Sequence, residues 1–156
     1  MAHTFTDEGL SGLLGQWPRS ALAISGVHYI GLYASAAPTT ASSQVPSRTA
    51  VGGATHAAWT EVTGGSYARQ VISAGDWGAQ NSNGNGIRVS GKQVAFTATA
   101  TWSPAVGFFL STNSADHAND DVFYFSNFDS LTIRSLVSGD VLQLTPTIQF
   151  NVSALA

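Results

Sequence analysis

The chain has 156 residues, 44% of them hydrophobic and only 10% charged, which predicts one domain with a sizeable core and excludes a disordered chain. Six basic residues are scattered among nine acidic ones, and a net charge of −3 without a basic stripe argues against nucleic-acid binding. Cysteine is absent, which excludes disulfides and thiolate metal sites, and no apolar run is long enough to span a membrane.

The first predicted element is a short helix within residues 1–19. Thr6 suits its N-cap and Pro18 ends it. Four large apolar side chains recur at i, i+3, i+4 and i+7 and form one face of this helix: Leu10, Leu13, Leu14 and Trp17. Glycines within the helix each cost about 1 kcal/mol relative to alanine, so we expect it to order only by docking that face, on its own domain or on another subunit. The chain therefore divides into a docking segment, 1–19, and a β domain, 20–156.

From residue 20 onwards the sequence has the pattern of short β-strands. The clearest is 94–102, where apolar residues alternate with alanine or threonine. Gly91 and Lys92 fit the two-residue turn of a hairpin that leads into this strand. The predicted strands cover 27–34, 67–72, 94–102, 106–110, 122–128, 131–136, 141–144 and 147–152. Short strands at intervals of about ten residues predict an all-β fold, an antiparallel β-sandwich of the jelly-roll or Greek-key type.

Residues 36–56 interrupt the strand pattern. They show no periodicity and are rich in Ser, Thr, Ala, Pro and Gly, which predicts a long surface loop or arm. A loop of this length is uncommon in a compact domain unless it binds a ligand or wraps around a neighbour.

Few residues fit a chemical role. His117 lies with three aspartates in an acidic loop, 113–121, and calcium favours clustered oxygen ligands. The loop lacks the ligand spacing of an EF-hand, and no HxH or HExxH pair offers a zinc site, so we interpret it as a solvated acidic loop. A nucleophile elbow, a phosphate-binding loop and a carboxylate pair suited to glycoside hydrolysis are also missing. The sequence therefore predicts no enzyme activity, no metal site and no cofactor.

Residues 61–70, EVTGGSYARQ, bring two glycines, an aromatic residue, an acid and a base close together. The glycines suit a bulge or tight turn that lets the tyrosine enter a sheet. The arginine lies two residues beyond the tyrosine and has two possible partners, the glutamate across the turn or a neighbouring subunit. We interpret the block as a structural corner, with these residues in it: Glu61, Gly64, Gly65, Tyr67 and Arg69.

Several short blocks follow one another in a distinctive order. They are 28–33 (HYIGLY), 61–70 (EVTGGSYARQ), 94–96 (VAF), Trp102 with 106–110 (VGFFL), and 138–142 (SGDVL). In this order they resemble a family of small virion structural proteins of tailed bacteriophages, over roughly residues 29–152. Members of that family carry an N-terminal helix, a YxxLY strand, an EVxGGxYARQ block and a glycine-aspartate turn before the last strands. The HFGLFDA stretch and following glycine pair of many members are replaced in this chain by 107–111 (GFFLS).

The resemblance implies a protein that assembles into the virion, in the host cytoplasm, with no catalytic residue and no cofactor. Our first hypothesis is a capsid decoration (cement) protein, a homotrimer that bridges major capsid subunits and binds neither nucleic acid nor membrane. A surface with so few charges suits a protein largely covered by such neighbours.

Two alternatives remain. The second hypothesis is a minor tail, baseplate or fibre-associated protein, with other virion proteins as partners. The third is a glycan-binding β-sandwich that contacts the host surface, in which Trp59 and Trp77 stack on sugar rings. The opposing interpretation of both tryptophans is burial under the long loop.

Overall fold

The computed structural model describes residues 3–5, 27–34, 61–79, 81–82, 86–111, 122–128 and 134–151. In these ranges the chain forms ten β-strands and a short 3-10 turn, and it contains no α-helix. The strand pairings within the sheets are antiparallel. The predicted all-β class is therefore confirmed. No helix of the described ranges is long and apolar enough to cross a membrane.

The strands form three sheets. Their bounds are β1 His3–Phe5, β2 Val27–Tyr33, β3 Gln70–Ser73, β4 Asn81–Ser82, β5 Gly86–Ser90, β6 Val94–Thr97, β7 Gly107–Ser111, β8 Val122–Asn127, β9 Val141–Leu144 and β10 Thr147–Asn151. The largest sheet has five strands in the order β1-β8-β7-β2-β3. The other two have the orders β10-β5-β4 and β6-β9.

One face of the five-stranded sheet, its inner face, contributes to the main core. Alternation along β2 places Ile30 and Leu32 there, and both are fully buried. The two smaller sheets bury their own apolar side chains in the same cluster. The strand residues of this core are Ile30, Leu32, Ile72, Phe108, Leu110 and Tyr124 from the largest sheet and Val94, Phe96 and Ile148 from the others. Burying each large apolar side chain contributes about 1.5–3 kcal/mol, so this cluster is a main source of stability.

The centre of the opposite, outer face of the same sheet is also buried, whereas many antiparallel sheets leave one face in water. Its aromatic cluster consists of Tyr33, Phe109 and Phe125, which are 1%, 0% and 2% exposed. Two of the rings lie over glycines of the neighbouring strand, because the register pairs Tyr33 with Gly107 and Phe109 with Gly31. A Cβ at Gly31 would lie 2.1 Å from the Phe109 Cζ atom. The glycines therefore give these rings the space that they occupy on the sheet.

We expect Gly107→Ala to lower the free energy of unfolding by about 3 kcal/mol, the upper end of the usual cost of overpacking. A Cβ at this position would lie 2.3 Å from the backbone oxygen of Ser126 and 2.3 Å from the Tyr33 hydroxyl oxygen. The backbone oxygen belongs to the paired strand β8, so it cannot move aside without disturbing the sheet. Urea unfolding measures the change. Gly75→Ala is the matched control, because an added Cβ there has no neighbour within 4 Å, and equal stability of both variants would contradict this account.

The predicted hairpin at Gly91 and Lys92 is wrong, because β5 and β6 belong to different sheets. The Gly91 N–H donates instead to the Pro146 carbonyl at 2.8 Å. An added Cβ at Gly91 would lie 2.5 Å from the Cδ1 atom of Ile72. This glycine is therefore required by close packing between distant segments, and not by a local turn.

Two predicted strands are shorter than expected. The strand predicted at 67–72 begins at Gln70, and the strand predicted at 94–102 ends at Thr97. The reason for both is the same, since the segments 63–67 and 99–103 turn toward each other and exchange hydrogen bonds. Hydrogen bonds between these two segments thus take the place of the regular strand pairing that the sequence predicts.

Several predictions lie outside the described residues. They are the N-terminal helix with Leu10, Leu13, Leu14 and Trp17, the arm 36–56, the acidic loop 113–121, and Trp59. The described part of the segment 1–19 is β1, which pairs with β8. The start of the predicted docking segment is therefore a strand of the five-stranded sheet.

Candidate functional site

Residues 61–70, called the corner, begin and end on the same edge of β2. At one end β3 pairs with the first half of β2, and at the other Glu61 pairs with Tyr33. The Val62 N–H donates to the Leu32 carbonyl at 2.9 Å. Between these two points the chain leaves the sheet edge and comes back to it. The Leu32 N–H faces this gap and needs an acceptor that is not a strand carbonyl.

The two glycines let the corner lie directly on the segment around Trp102. A Cβ at Gly64, where φ is +154°, would lie 2.4 Å from the Trp102 Cδ1 atom. The Trp102 indole N–H donates to the Gly65 carbonyl at 2.8 Å. Ser66 has a left-handed φ of 59°, a conformation that costs a non-glycine residue about 1–3 kcal/mol, and its hydroxyl contacts that of Thr99. The corner is thus a fixed turn that directs the next residue toward the sheet.

The Tyr67 side chain fills the gap in the sheet edge. Its hydroxyl oxygen accepts a hydrogen bond from the Leu32 N–H at 2.7 Å. The same hydroxyl donates to Glu61 Oε1 at 2.9 Å. Its ring lies parallel to Phe96, with centroids 6.3 Å apart, and edge-on to Trp102 at 5.3 Å. A side-chain hydroxyl therefore takes the place of a strand carbonyl, and the aromatic ring joins the main core.

Glu61 and Arg69 form a bidentate ion pair beside Tyr67. The Arg69 Nε and Nη2 atoms donate to the two carboxylate oxygens of Glu61 at 2.9 and 2.8 Å. The third nitrogen, Nη1, donates to the Ser111 hydroxyl at 3.1 Å, and the guanidinium lies 4.9 Å from the centre of the Phe109 ring. Both residues are only 8% exposed. This arrangement combines charge-assisted hydrogen bonds with a cation–π contact in an environment that excludes water.

The geometry of the corner favours a structural role of its side chains over a catalytic one. Burial, and after it the charge of Glu61, raises the pKa of Tyr67 far above its ordinary value of 10.0, so the phenol stays protonated and acts as a hydrogen-bond donor. The Glu61 carboxylate is shared between the phenol and the guanidinium. A general base needs a free lone pair directed at a substrate proton, and this carboxylate is directed at its own neighbours.

Removing the Tyr67 hydroxyl should destabilise the protein. We expect Tyr67→Phe to lower the free energy of unfolding by about 1–3 kcal/mol, because the buried Leu32 N–H loses its acceptor. Tyr29→Phe is the matched control, since no hydrogen bond of the Tyr29 hydroxyl occurs among the described residues, and it should change stability by less than about 0.5 kcal/mol. Urea unfolding compares the two, and hydrogen exchange at the Leu32 amide should accelerate only in Tyr67→Phe. An unchanged exchange rate there would contradict the gap-filling role.

The structure brings all five predicted corner residues together: Glu61, Gly64, Gly65, Tyr67 and Arg69. Of the two possible partners of Arg69, the glutamate of the same chain is the one in contact. Sequence reasoning missed Ser111, Phe109 and Leu32, which complete the corner from β7 and β2. No local signal marks them, because they join the corner through strand pairing and not through sequence spacing.

Trp77, the described member of the pair considered for sugar stacking, is half-buried and packs against the main core. Its indole nitrogen is buried and has no hydrogen-bond partner among the described residues. The nearby pair between Lys92 Nζ and Asp76 Oδ2, 2.9 Å long, is largely exposed and lowers the pKa of Asp76. Trp77 is therefore a packed tryptophan that lies beside a surface ion pair.

Among the described residues, no group of three or more histidine, aspartate or glutamate side chains is close enough to hold a metal ion. No family model, no curated protein and no solved structure matches this chain.

Proposed function

We propose that the protein is a structural component of the virion of a tailed bacteriophage, and within it a capsid decoration (cement) protein. In this role it bridges neighbouring major capsid subunits and stabilises the shell. The observation that carries the proposal is the corner, 61–70, which is also the most distinctive block of the family resemblance. Its acid, base and phenol bond to one another and to the sheet, which suits a structural role and leaves none of these three side chains arranged for catalysis.

The buried hydrogen bonds and ion pair of the corner suit a protein that has to resist mechanical stress. A shell protein under internal genome pressure has to resist local opening of its sheets. The corner joins β2 to β7 through Arg69 and to the main core through Tyr67. Because the Tyr67 hydroxyl and the Glu61 carboxylate are shared between these bonds, opening the sheet edge would break the Leu32 hydrogen bond and the buried ion pair together. We further propose that the three sheets form a β-sandwich around the main core.

The described surface also supports extensive contacts with other proteins. The exposed residues of β6 and β9 carry no charge, and they are Ala95, Thr97, Val141 and Gln143. Two of the large exposed apolar side chains are Val137, which precedes the turn that leads into β9, and Val141, which begins β9, and they are 50% and 52% exposed. The centres of protein interfaces are depleted of charged residues, so such a surface suits contact with major capsid subunits or with further copies in a homotrimer.

The stoichiometry of purified virions tests the proposal. A decoration protein that bridges major capsid subunits should be present in a number comparable with that of those subunits. Quantitative densitometry of stained gels measures the ratio, and the major capsid band is the internal standard. Re-addition of the purified chain to heads from which it has been stripped should restore the ratio and raise the temperature at which the heads rupture.

A much lower ratio would contradict the decoration role and would favour the alternative, a minor tail, baseplate or fibre-associated protein. Absence of the chain from purified particles would contradict both. The packing of Trp77 against the main core gives the glycan-binding hypothesis no specific support, so we do not extend the proposal to host sugars.

A further inference from the structure

The three-stranded sheet β10-β5-β4 has one apolar side and one polar side. On the apolar side, Val89 of β5 is paired with Ile148 of β10, and both belong to the packing of the main core. Because side chains alternate along a strand, the residues before and after these two face the opposite side. We call that side the polar face, and its described residues are Asn81, Arg88, Ser90, Thr147 and Gln149.

Arg88 lies at the centre of the polar face. It belongs to the middle strand of the sheet, and the registers place Asn81 directly opposite it on one side and Gln149 on the other. The next row is the pair of Ser90 and Thr147, whose hydroxyl oxygens are 3.1 Å apart. The Arg88 and Asn81 side chains are exposed, and the other three are half-buried. The sheet therefore presents a guanidinium to solvent among neutral side chains that donate and accept hydrogen bonds.

Arg88 has no ion-pair partner among the described residues, whereas two other described cations have one. Arg69 is paired with Glu61 in the corner, and Lys92 is paired with Asp76. The described residues of the polar face include no acid. The planar fork of N–H donors in an arginine matches the two oxygens of a carboxylate, and an arginine binds such a group more specifically than a lysine does. The charge of the polar face is therefore complementary to a carboxylate.

One exposed cation suits a single carboxylate better than a polyanion. Nucleic acids and anionic membranes are bound through several positive charges at once. The polar face has one among its described residues, and the chain as a whole has a net charge of −3. Arginine is also enriched at the centres of protein interfaces, where lysine is depleted. These charges favour an acidic side chain of a protein as the group that meets Arg88.

The described carboxylates of the chain are already bound within it. Glu61 and Asp76 form the ion pairs given above, and Asp140 accepts a hydrogen bond from the Val137 N–H at 2.9 Å. A second copy of the chain thus offers Arg88 no uncommitted acid among its described residues. We propose that the polar face docks a carboxylate-bearing segment of a different protein, with two parallel hydrogen bonds from Arg88 to the carboxylate. Since this inference rests on the proposed function, that protein is the major capsid subunit.

Binding of the purified chain to stripped heads, measured by co-sedimentation over a range of chain concentrations, tests the assignment. Arg88→Glu should weaken the affinity at least about tenfold, because the carboxylate of the partner then meets a like charge. Arg134→Glu is the matched control. Arg134 is also exposed, has no ion pair among the described residues, and is bridged to Ala105 outside the polar face. The same change of charge there should alter the affinity less than about twofold, and urea midpoints close to that of the unmodified chain verify that both variants are folded.

A crosslinking experiment identifies the group that Arg88 binds. Arg88→Lys places an amine on the polar face, and a zero-length carbodiimide joins amines to carboxylates that are in direct contact with them. Lys92 is the only lysine of the chain, so adding Lys92→Arg leaves position 88 as the one lysine that can react. Mass spectrometry maps the products formed on heads. Crosslinks from position 88 to an aspartate or glutamate of the major capsid subunit support the proposal.

The possible outcomes separate this surface from the proposed function. If Arg88→Glu binds heads as tightly as Arg134→Glu, the polar face is not the docking surface, while the decoration role stands. Crosslinks from position 88 to another copy of the chain alone overturn the choice of partner. Binding that nuclease treatment abolishes would mean a nucleic-acid partner and overturns it as well. If the unmodified chain does not bind heads, the proposed function is contradicted and this inference fails with it.

Discussion

Replacing Arg69 by alanine should lower the free energy of unfolding by about 3–5 kcal/mol, because the variant leaves a buried carboxylate without its counter-charge. Arg69 supplies two hydrogen bonds to Glu61 and one to Ser111, and its guanidinium covers the Phe109 ring. The desolvation cost of the carboxylate stays when these bonds are lost. Urea unfolding monitored by tryptophan fluorescence measures the change.

Two comparisons isolate the effect. Lys92→Ala breaks the exposed pair with Asp76, in which the lysine side chain is 50% exposed, and should cost no more than about 1 kcal/mol. The double variant Glu61→Leu with Arg69→Met removes both charges and should recover much of the loss, because apolar replacements of buried ion pairs are often neutral or stabilising. If Arg69→Ala were no more costly than Lys92→Ala, the corner would not be the buried, water-excluding structure described above.

Alkaline pH should unfold the protein steeply. Burial raises the pKa of Tyr33, Tyr67 and Tyr124 well above the ordinary value of 10.0. Above pH 10 the unfolded chain loses these protons while the folded chain keeps them, so the unfolded state binds fewer protons and stability falls as pH rises. Each such tyrosine contributes a slope of about −1.4 kcal/mol per pH unit, or about −4 for the three together. Below pH 10 both states keep these protons, so the contribution of the three tyrosines to stability does not change with pH.

Urea unfolding at a series of pH values measures this slope, and tyrosinate absorbance follows the protons directly. In Tyr67→Phe the slope should be shallower by about 1.4 kcal/mol per pH unit, since one of the three groups is gone. Titration of all the tyrosines near pH 10 in the folded protein would show that their hydroxyls are exposed, and it would contradict the prediction.

The strands were predictable where the pattern is local. Side-chain alternation and turn residues located 27–34, 106–110, 122–128 and 141–144, and the structure has a strand within or close to each range. Alternation depends on which side of a strand each residue faces, and the chain carries that information over a few residues. The prediction failed at Gly91, because a glycine required by close packing looks the same in sequence as a glycine required by a turn.

The candidate corner was predictable only in part. Glu61, Gly64, Gly65, Tyr67 and Arg69 stand close together in sequence, so their joint interpretation needed no knowledge of pairing. The acceptor role of Tyr67 depends on the Leu32 N–H, which is 35 positions away in the chain. The contact of Arg69 with Ser111 spans 42 positions. Contacts between residues so far apart in the chain are set by strand register, which the local sequence pattern does not specify.

By itself the sequence determined the all-β class, and it gave no motif for a catalytic site. Composition and strand periodicity are properties of the chain alone, so both conclusions could be drawn without coordinates. Only the tertiary structure decided that Arg69 pairs with Glu61 of its own chain, that Tyr67 completes the edge of β2, and that Gly31 and Gly107 hold aromatic rings on the outer face. Each of these depends on which strands become neighbours and in what register, and burial then makes the resulting contacts strong because water is excluded from them.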